Sequence, residues 1–376
     1  NLKPEKTSSI EAGFEAAFWD NRLYLDFTYY KTDSRNQILK LATTAASGYT
    51  SQVRNAGHIR NRGYEIQLGA VPIQTSKGFR WNLDLNYGAN SSKVVKLDDE
   101  GLITSYQLYS SGIQILASVG EAYGTLFGTS YVRDANGNVV VDANGLPKIS
   151  TTNKTLGKFT PDWTGGISNT FSYRSLSLSF LIDASVGGSI FSNTNKTGKY
   201  TGVLANTLSG RDAEHGGLWY YTDAMGNNVR LSESPSYSVS SDGLYYAQVN
   251  GQSTRVYQDG IMVEGVTESG SKNEEVVSAE KYYHRIYSIA EANVYDASYV
   301  KLREVALSYR LPRLWTQKLH LQEASVTLTG RNLWTIYKSV PNIDPESALT
   351  TGNAQGVEAY SLPTTRSFGV NLSVKF

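Results

Sequence analysis

The sequence has no cysteine, only 2 methionines and only 4 histidines among 376 residues. The absence of cysteine excludes disulfide bonds and thiolate metal sites. No stretch approaches the roughly 18 uninterrupted apolar residues of a membrane-spanning helix. The 35 Lys and Arg nearly balance the 34 Asp and Glu, so no basic surface points to nucleic acid.

Tyrosine, glycine and a strict alternation of side chains are what the sequence does contain. The 26 tyrosines and 34 glycines favour twisted sheet over helix. In the last segment one face of a strand would carry Phe368, Val370, Leu372, Val374 and Phe376, and the other Gly369, Asn371, Ser373 and Lys375. A soluble sandwich shows such a pattern in one strand or another, with the apolar face toward a core. A transmembrane barrel shows it in every strand, with the apolar face toward lipid and the polar face toward a wet lumen.

The same alternation recurs along the chain and predicts nine strands. They cover residues 10–18, 23–30, 64–70, 79–87, 163–173, 176–184, 300–311, 325–329 and 368–376. A change of parity near Glu304 indicates a β-bulge. One face of the fourth strand carries Arg80, Asn82, Asp84 and Asn86, which a dry core would not accept unpaired, so this face is expected to be wet.

The connections between these strands alternate between short and long. Short links lie near Trp19, Pro72, Arg174 and Pro312, and long ones begin near Lys31, Ala89, Gly187 and Tyr337. Outer-membrane barrels have short periplasmic turns and long extracellular loops, and aromatic residues gather near the strand ends here as in interfacial girdles. We therefore predict an all-β, transmembrane antiparallel β-barrel in the bacterial outer membrane. Because single-chain bacterial barrels have an even number of strands, residues 1–376 are expected to be the C-terminal portion of a larger barrel from a longer exported precursor.

The long connections show few regular patterns. Residues 31–57 are polar and predicted to be a loop, and residues 187–293 form a polar segment rich in Gly, Ser, Asn and Tyr with no predicted regular structure. Between residues 89 and 160, Asp134-Ala-Asn-Gly and Asp142-Ala-Asn-Gly predict hairpin turns. Calcium loops are the less favoured interpretation because neither segment carries the full ligand series.

No catalytic constellation is found, so no enzyme activity, cofactor or metal site is predicted. His58, His215, His284 and His320 are scattered and favour structural or surface roles. The best substrate-binding candidate is Trp219-Tyr220-Tyr221, which follows Asp212, Glu214 and His215. Aromatic faces beside carboxylates suit stacking on a sugar ring or packing against a peptide side chain. The preferred alternative is that these aromatic residues form a small core of the loop itself.

Several segments together resemble the SusC/RagA branch of the TonB-dependent outer-membrane receptors. They are NLKPEKT at 1–7 with EAG at 11–13, NRGYE at 61–65, GEAYGTLFG at 120–128, KFTPDWTGG at 158–166, DASYVKLREVALSYRLP at 296–312, GRNLWT at 330–335 and SFGVNL at 367–372. The resemblance runs from end to end and in the family's order. It implies a barrel of 22 strands with an N-terminal plug and a TonB-box, neither of which is visible in this chain.

The resemblance also implies a function and partners. SusC/RagA-type receptors import oligomeric nutrients, such as glycan fragments or peptides, with energy from TonB–ExbB–ExbD and with a SusD-like lipoprotein as a lid. The long, aromatic-rich segment 187–293 is predicted to dock that lid. Two alternatives stay open at this point: a siderophore or cobalamin receptor, and a non-transporting barrel that serves as an adhesin or anchor.

Overall fold

The computed structural model describes residues 2–42, 51–318 and 320–376, and strands dominate it. The first twelve strands are β1 Lys6–Phe18, β2 Leu23–Arg35, β3 Ile38–Ala42, β4 Ser51–Asn55, β5 His58–Gln74, β6 Phe79–Lys96, β7 Ser105–Ser110, β8 Gln114–Ser118, β9 Tyr123–Gly128, β10 Lys154–Lys158, β11 Trp163–Tyr173 and β12 Leu176–Val186. The remaining strands are β13 Ser189–Ser192, β14 Leu218–Thr222, β15 Asn228–Arg230, β16 Tyr237–Val239, β17 Tyr245–Val249, β18 Gln252–Met262, β19 Val276–Ser278, β20 Val294–Asp296, β21 Tyr299–Arg310, β22 Glu323–Lys338, β23 Val357–Glu358 and β24 Ser367–Lys375. The α-helices are α1 Asn193–Tyr200, α2 Ala279–Tyr287 and α3 Arg313–Lys318, and short 3-10 helices cover Ala205–Thr207 and Ala290–Asn293.

Nine strands form one antiparallel sheet, which we call the wall. Its order is β1-β2-β5-β6-β11-β12-β21-β22-β24, so each strand pairs with the next wall strand along the chain. These are the nine strands that the alternation predicts, and the prediction is confirmed. The predicted tight turns are also present, since the chain reverses through residues 19–22 and through Arg174-Ser175. Arg174 has a φ of 53°, the left-handed conformation that a two-residue hairpin turn requires.

Several wall strands are longer than the sequence predicts. β5 and β6 contain 17 and 18 residues, well beyond the alternating segments 64–70 and 79–87. β2 continues to Arg35, and β3 and β4 form a hairpin, so the prediction of a loop over residues 31–57 is wrong for those parts. Residues 43–50 lie outside the described part of the chain. The extensions contain polar runs, such as residues 60–62 of β5 and 90–93 of β6, which interrupt the apolar alternation that marks a strand in the sequence.

The wall contains two irregularities that bear on the sequence predictions. Between β12 and β21 the register shifts so that Leu181 pairs with Glu304 and Ile182 with Leu302, which leaves Arg303 as the extra residue of a bulge. This confirms the predicted bulge near Glu304. The turn predicted around residues 72–78 is confined to residues 75–78, because β5 passes Pro72 through a second irregularity of the ladder. A proline has no N–H to donate, so a bulge is where a strand accommodates it.

The long connections fold into small structures of their own, which we call the outer loops. The segment between β6 and β11 contains the four-stranded sheet β10-β9-β8-β7, and the segment between β12 and β21 contains the sheet β15-β14-β18-β17-β16, to which β19 adds, together with α1 and α2. The prediction of no regular structure over residues 187–293 is therefore wrong. The strands there are mostly three to five residues long, too short for a periodic pattern to stand out.

The outer loops share a hydrophobic core. Ile113 and Leu126 come from the first of these loops, which lies between β6 and β11. Phe191 and Ala290 come from the second, between β12 and β21, and Val357 comes from the third, between β22 and β24. In the wall, by contrast, many of the large apolar side chains lie on the surface, as for the residues of β24. No helix in the described part of the chain is long and apolar enough to cross a membrane.

Candidate functional site

The polar residues predicted for the wet face of the wall lie together on one side of the sheet. Asp84 pairs with Gly69 on β5 and with Ser168 on β11, so its neighbours on both sides are small or polar. Arg80 donates a hydrogen bond from Nε to Oδ1 of Asn82 at 2.8 Å. This face offers hydrogen-bonding groups to water or to a solute along several strands.

A groove crosses this polar face at Gly166, which carries no side chain there. A Cβ atom on Gly166 would lie 3.0 Å from the side-chain oxygen of Asn86. The open cavity at this point has a volume of about 430 Å³, and its walls include Glu65 and Asp183. A larger residue at Gly166 would push against Asn86 or fill the groove.

The bulge on β21 directs a charged residue into this face. Arg303 binds Asp183 through both ends of its guanidinium, with Nε to Oδ1 at 2.6 Å and Nη2 to Oδ2 at 3.0 Å. Its Nη2 also contacts Glu346, which belongs to the outer loop between β22 and β24. A two-pronged bond of this kind fixes orientation as well as charge. The bulge thus places Arg303 where it binds both a wall strand and an outer loop.

Lys301, two residues earlier, makes a second connection to the same loop. Its Nζ lies 2.5 Å from Oδ1 of Asp344 and 2.5 Å from Oε2 of Glu346, and its side chain is only 4% exposed. Thr364 donates a hydrogen bond to the other oxygen of Asp344. Burial alone would raise the pKa of Asp344, but the hydrogen bonds from Lys301 and Thr364 outweigh burial and lower the pKa to about 2. The loop carboxylate is therefore held ionised against the wall.

A third polar connection joins the outer loops to each other. The Glu358 carboxylate is fully buried, and it accepts hydrogen bonds from the Ser192 hydroxyl at 2.7 Å and from the Thr194 hydroxyl at 2.6 Å. The backbone N–H groups of Thr194 and Ser361 donate to the same carboxylate. Nearby, Asn195 donates from its side chain to the backbone oxygen of Pro341. Ion pairs thus join the third loop to the wall, and buried hydrogen bonds join the third loop to the second.

The predicted substrate-binding residues Trp219, Tyr220 and Tyr221 lie on β14. Trp219 and Tyr220 are buried, and Tyr221 is half-buried. Trp219 packs against Tyr237 with ring centroids 5.1 Å apart, and Tyr220 stacks on Tyr257 at the same distance. These contacts are those of a small core within the loop, the alternative that the sequence analysis prefers. Substrate contact by these residues stays a prediction, and the half-buried Tyr221 has accessible surface with which to make it.

The histidines and the two Asp-Ala-Asn-Gly segments have local structural partners. His58 contacts Asp33 at 2.6 Å, and His215 contacts Asp212 at 2.8 Å. Asp134 accepts hydrogen bonds from two backbone N–H groups of its own turn, and Asp142 does the same, which confirms the hairpin turns. In residues 2–42, 51–318 and 320–376, no group of three or more potential metal ligands converges.

Sequence reasoning missed the charged residues that hold the loops in place. Lys301 and Arg303 stand within a strand that otherwise alternates, and Asp183 interrupts the apolar end of β12. These charges inside predicted strands were the available signal. Their partners Asp344 and Glu346 lie about 40 residues away in a segment with no pattern, and only the folded chain brings them together.

Comparison with known proteins gives one family and several relatives. The family model described as "TonB dependent receptor-like, beta-barrel" matches residues 1–333. Two curated TonB-dependent receptors of Formosa agariphila, P3 and P26, are 27% and 24% identical over the whole of this chain. The RagAB peptide importer in its open-open state superposes with a TM-score of 0.63 at 18% identity, and covers 100% of this chain.

The chain is shorter than any of these relatives. It spans about a third of their length, namely 34% and 35% of the two curated receptors and 35% of the RagAB chain. The family match covers most of the chain, and the nine-stranded wall has the meander order, short turns and long loops expected of such a barrel. The chain therefore belongs to the TonB-dependent receptor-like β-barrel family of the outer membrane.

Proposed function

We propose that the receptor to which this chain contributes imports oligomeric nutrients, peptides or glycan fragments, across the outer membrane. The observation that carries the proposal is the glycine-floored groove on the polar face, which membership of the family makes the lumen side of the wall. Energy would come from TonB–ExbB–ExbD through a plug domain and a TonB-box that are not among these 376 residues. Peptides are the first substrates to test, because the similar RagAB proteins are named peptide importers.

Blocking the groove tests this proposal. Gly166→Trp places a large side chain in the groove, whereas Ile167→Trp places it on the opposite, apolar face. We expect cells with the first variant to lose proton-gradient-dependent uptake of labelled oligopeptides or oligosaccharides, and cells with the second to keep it. Both variants must reach the outer membrane in similar amounts. Undiminished uptake by the Gly166→Trp receptor would reject the groove as part of the pathway.

We also propose that the second outer loop docks a SusD-like lipoprotein. The most exposed large apolar side chains of the described part of this loop are Val203, Met225 and Val239, with 77%, 88% and 58% of their surface accessible. Exposed apolar residues on a folded, aromatic-rich loop suit a protein interface. The loop's own sheet and helices would present them on a stable framework, which favours binding because less order has to be gained.

Charge substitutions on that surface test the docking role. The triple change Val203→Glu, Met225→Glu and Val239→Glu is expected to abolish co-purification of the lipoprotein from detergent extracts. Leu314 on α3 is similarly exposed, at 74%, but lies in a short turn, so Leu314→Glu serves as the control. Equal recovery of the lipoprotein with both receptors would contradict the proposal.

A further inference from the structure

An unassigned cavity of about 640 Å³ lies within the second outer loop. The end of α1, the beginning of α2, the strand β18 and the segment around Arg211 form its walls. Ligand pockets commonly have volumes of about 300–1,000 Å³. The cavity is separate from the groove on the wall. The Lys199 ammonium contributes to its lining, but it donates hydrogen bonds to the backbone oxygen of Ala292 and to Oδ1 of Asn293. Three further charged groups line the cavity, namely the carboxylates of Asp259 and Glu280 and the guanidinium of Arg211.

These three charged groups share the cavity but do not pair. Elsewhere in the outer loops opposite charges meet, as Lys301 meets Asp344 at 2.5 Å. Among the described residues, by contrast, no basic nitrogen lies within 4.0 Å of a carboxylate oxygen of Asp259 or Glu280, and no carboxylate lies that close to Arg211. Opposite charges that line one cavity without contact leave room for a ligand carrying both signs.

Two of the charged groups, Asp259 and Arg211, are held in place by neutral partners. Asp259 accepts a hydrogen bond from the Tyr220 hydroxyl at 3.1 Å. Arg211 donates from one terminal nitrogen to the backbone oxygen of Gly202 and to the hydroxyl of Thr207, at 2.6 and 2.7 Å. Burial raises the pKa of the Asp259 carboxyl, and the negative charge of Glu280 adds to that rise. An ammonium group between the two carboxylates would relieve both effects.

The aromatic residues of the cavity are partly engaged by their neighbours. The Tyr200 ring stacks on His284 with centroids 4.2 Å apart and also packs on Tyr287 at 4.8 Å. The hydroxyl of Tyr283 donates to the backbone oxygen of Asn206. The feature that distinguishes this cavity is therefore its charged groups, which pair with no opposite charge among the described residues.

We propose that this cavity binds a short peptide with free ends, its ammonium group at Asp259 and Glu280 and its carboxylate at Arg211. Charged hydrogen bonds of this kind are about twice as strong as neutral ones. This inference rests on the proposed import of oligomers, because it names peptides as the class of substrate and adds a subsite on the outer side. The ends of the peptide, and not its side chains, would be recognised.

Calorimetric titration of the purified full-length receptor tests the subsite. The ligands are triglycine, N-acetyl-triglycine and triglycine amide. We expect acetylation and amidation each to weaken binding at least about tenfold, the loss of one charged contact of about 1.4 kcal/mol. The double variant Asp259→Asn with Glu280→Gln should remove the penalty of acetylation but keep that of amidation. Asp242→Asn, a change in an exposed turn of the same loop, should behave like the unaltered receptor.

Equal binding of the three ligands, absence of binding, or an unchanged acetylation penalty in the double variant would overturn the inference. Both substitutions keep side-chain size, and heat-modifiable gel mobility verifies that the variant barrel is folded. Uptake by cells is measured in parallel with the unaltered receptor. A receptor that imports oligomers without distinguishing peptide ends rejects only the subsite. A receptor that distinguishes them but imports nothing upholds the subsite and rejects the proposed function.

Discussion

The wall carries many of its large apolar side chains on its surface, whereas the outer loops bury theirs in a core. On β24 the side chain of Phe368 is 81% exposed, whereas Phe191 and Ile115 in the loop core are completely buried. Charged side chains show the opposite distribution: Glu358 is buried between loops, whereas Asp84 is exposed on the polar face of the wall. The difference reflects the solvent that each part meets: the apolar face of the wall meets lipid, and water surrounds the loops.

The two regions also differ in what holds them together. Wall strands join their sequence neighbours through continuous backbone ladders, as in the thirteen-residue pairing of β1 with β2. The outer loops depend on side chains that are far apart in the sequence, such as Lys301 with Asp344. A substitution that removes a loop contact should therefore destabilise the loops and leave the wall folded.

Removing the buried cation should have the largest effect. Lys301→Met leaves Asp344 and Glu346 without their ammonium partner, and breaking a buried ion pair costs about 3–5 kcal/mol. Hydrogen exchange should become much faster in residues 339–366. The control is Arg310→Met, whose ion pair with Glu323 is exposed and worth at most about 1 kcal/mol. Comparable exchange in the two variants would show that the buried pair does not hold the loop.

The core of the second loop should be almost as sensitive. Trp219→Ala removes the ring that packs on Tyr237 and Tyr245, and such truncations cost about 3–5 kcal/mol. Exchange should accelerate over residues 218–262, while β11 and β12 stay protected. Met225→Ala changes a side chain that is 88% exposed and should alter neither region. Loss of protection in the wall strands would contradict the separation of the two regions.

A charge on the apolar face of the wall should have a somewhat smaller effect. Leu85 lies between Leu68 and Ile167, so Leu85→Arg places a cation toward lipid at a cost of roughly 2–4 kcal/mol. Asn86→Arg, one residue further, places the same cation on the polar face and should cost little. Urea unfolding of the receptor in lipid vesicles measures both. If the two variants unfold at the same urea concentration, the assignment of the faces is wrong.

Acidification should destabilise the third outer loop, and this effect should be smaller than those of the three substitutions above. The pKa of Asp344 is lowered from 3.8 to about 2, so its ionised form contributes roughly 2 kcal/mol of stability above about pH 4. As the pH falls from about 4 to about 2, the carboxylate is protonated and this contribution is lost. Pepsin cleavage within residues 339–366 should therefore increase over that range. In Lys301→Met the dependence should be weaker, and a cleavage rate independent of pH in the unaltered receptor would refute the prediction.

Most of the features that could be predicted from the sequence lie in the wall, and most of those that could not lie in the outer loops. The nine wall strands, the bulge at Arg303 and the tight turn at Arg174 were all predictable, because each leaves a mark within a few residues of sequence. The small sheets of the outer loops were not predictable, since their short strands leave no periodic signal. For Trp219 the sequence permitted both substrate binding and loop packing, and only the positions of Tyr237 and Tyr245 show how its ring is packed.

The wall can be read from the sequence, because alternation with period 2 assigns each side chain to one face and adjacent strands pair in the order of the chain. The partners of the charged loop residues can be read only from the folded chain. It brings Asp344 to Lys301 and Glu358 to Ser192, and it leaves Asp259 and Arg211 in one cavity without contact. Such contacts depend on the closure of long loops, whose free energy depends on the whole fold and on no local pattern of residues.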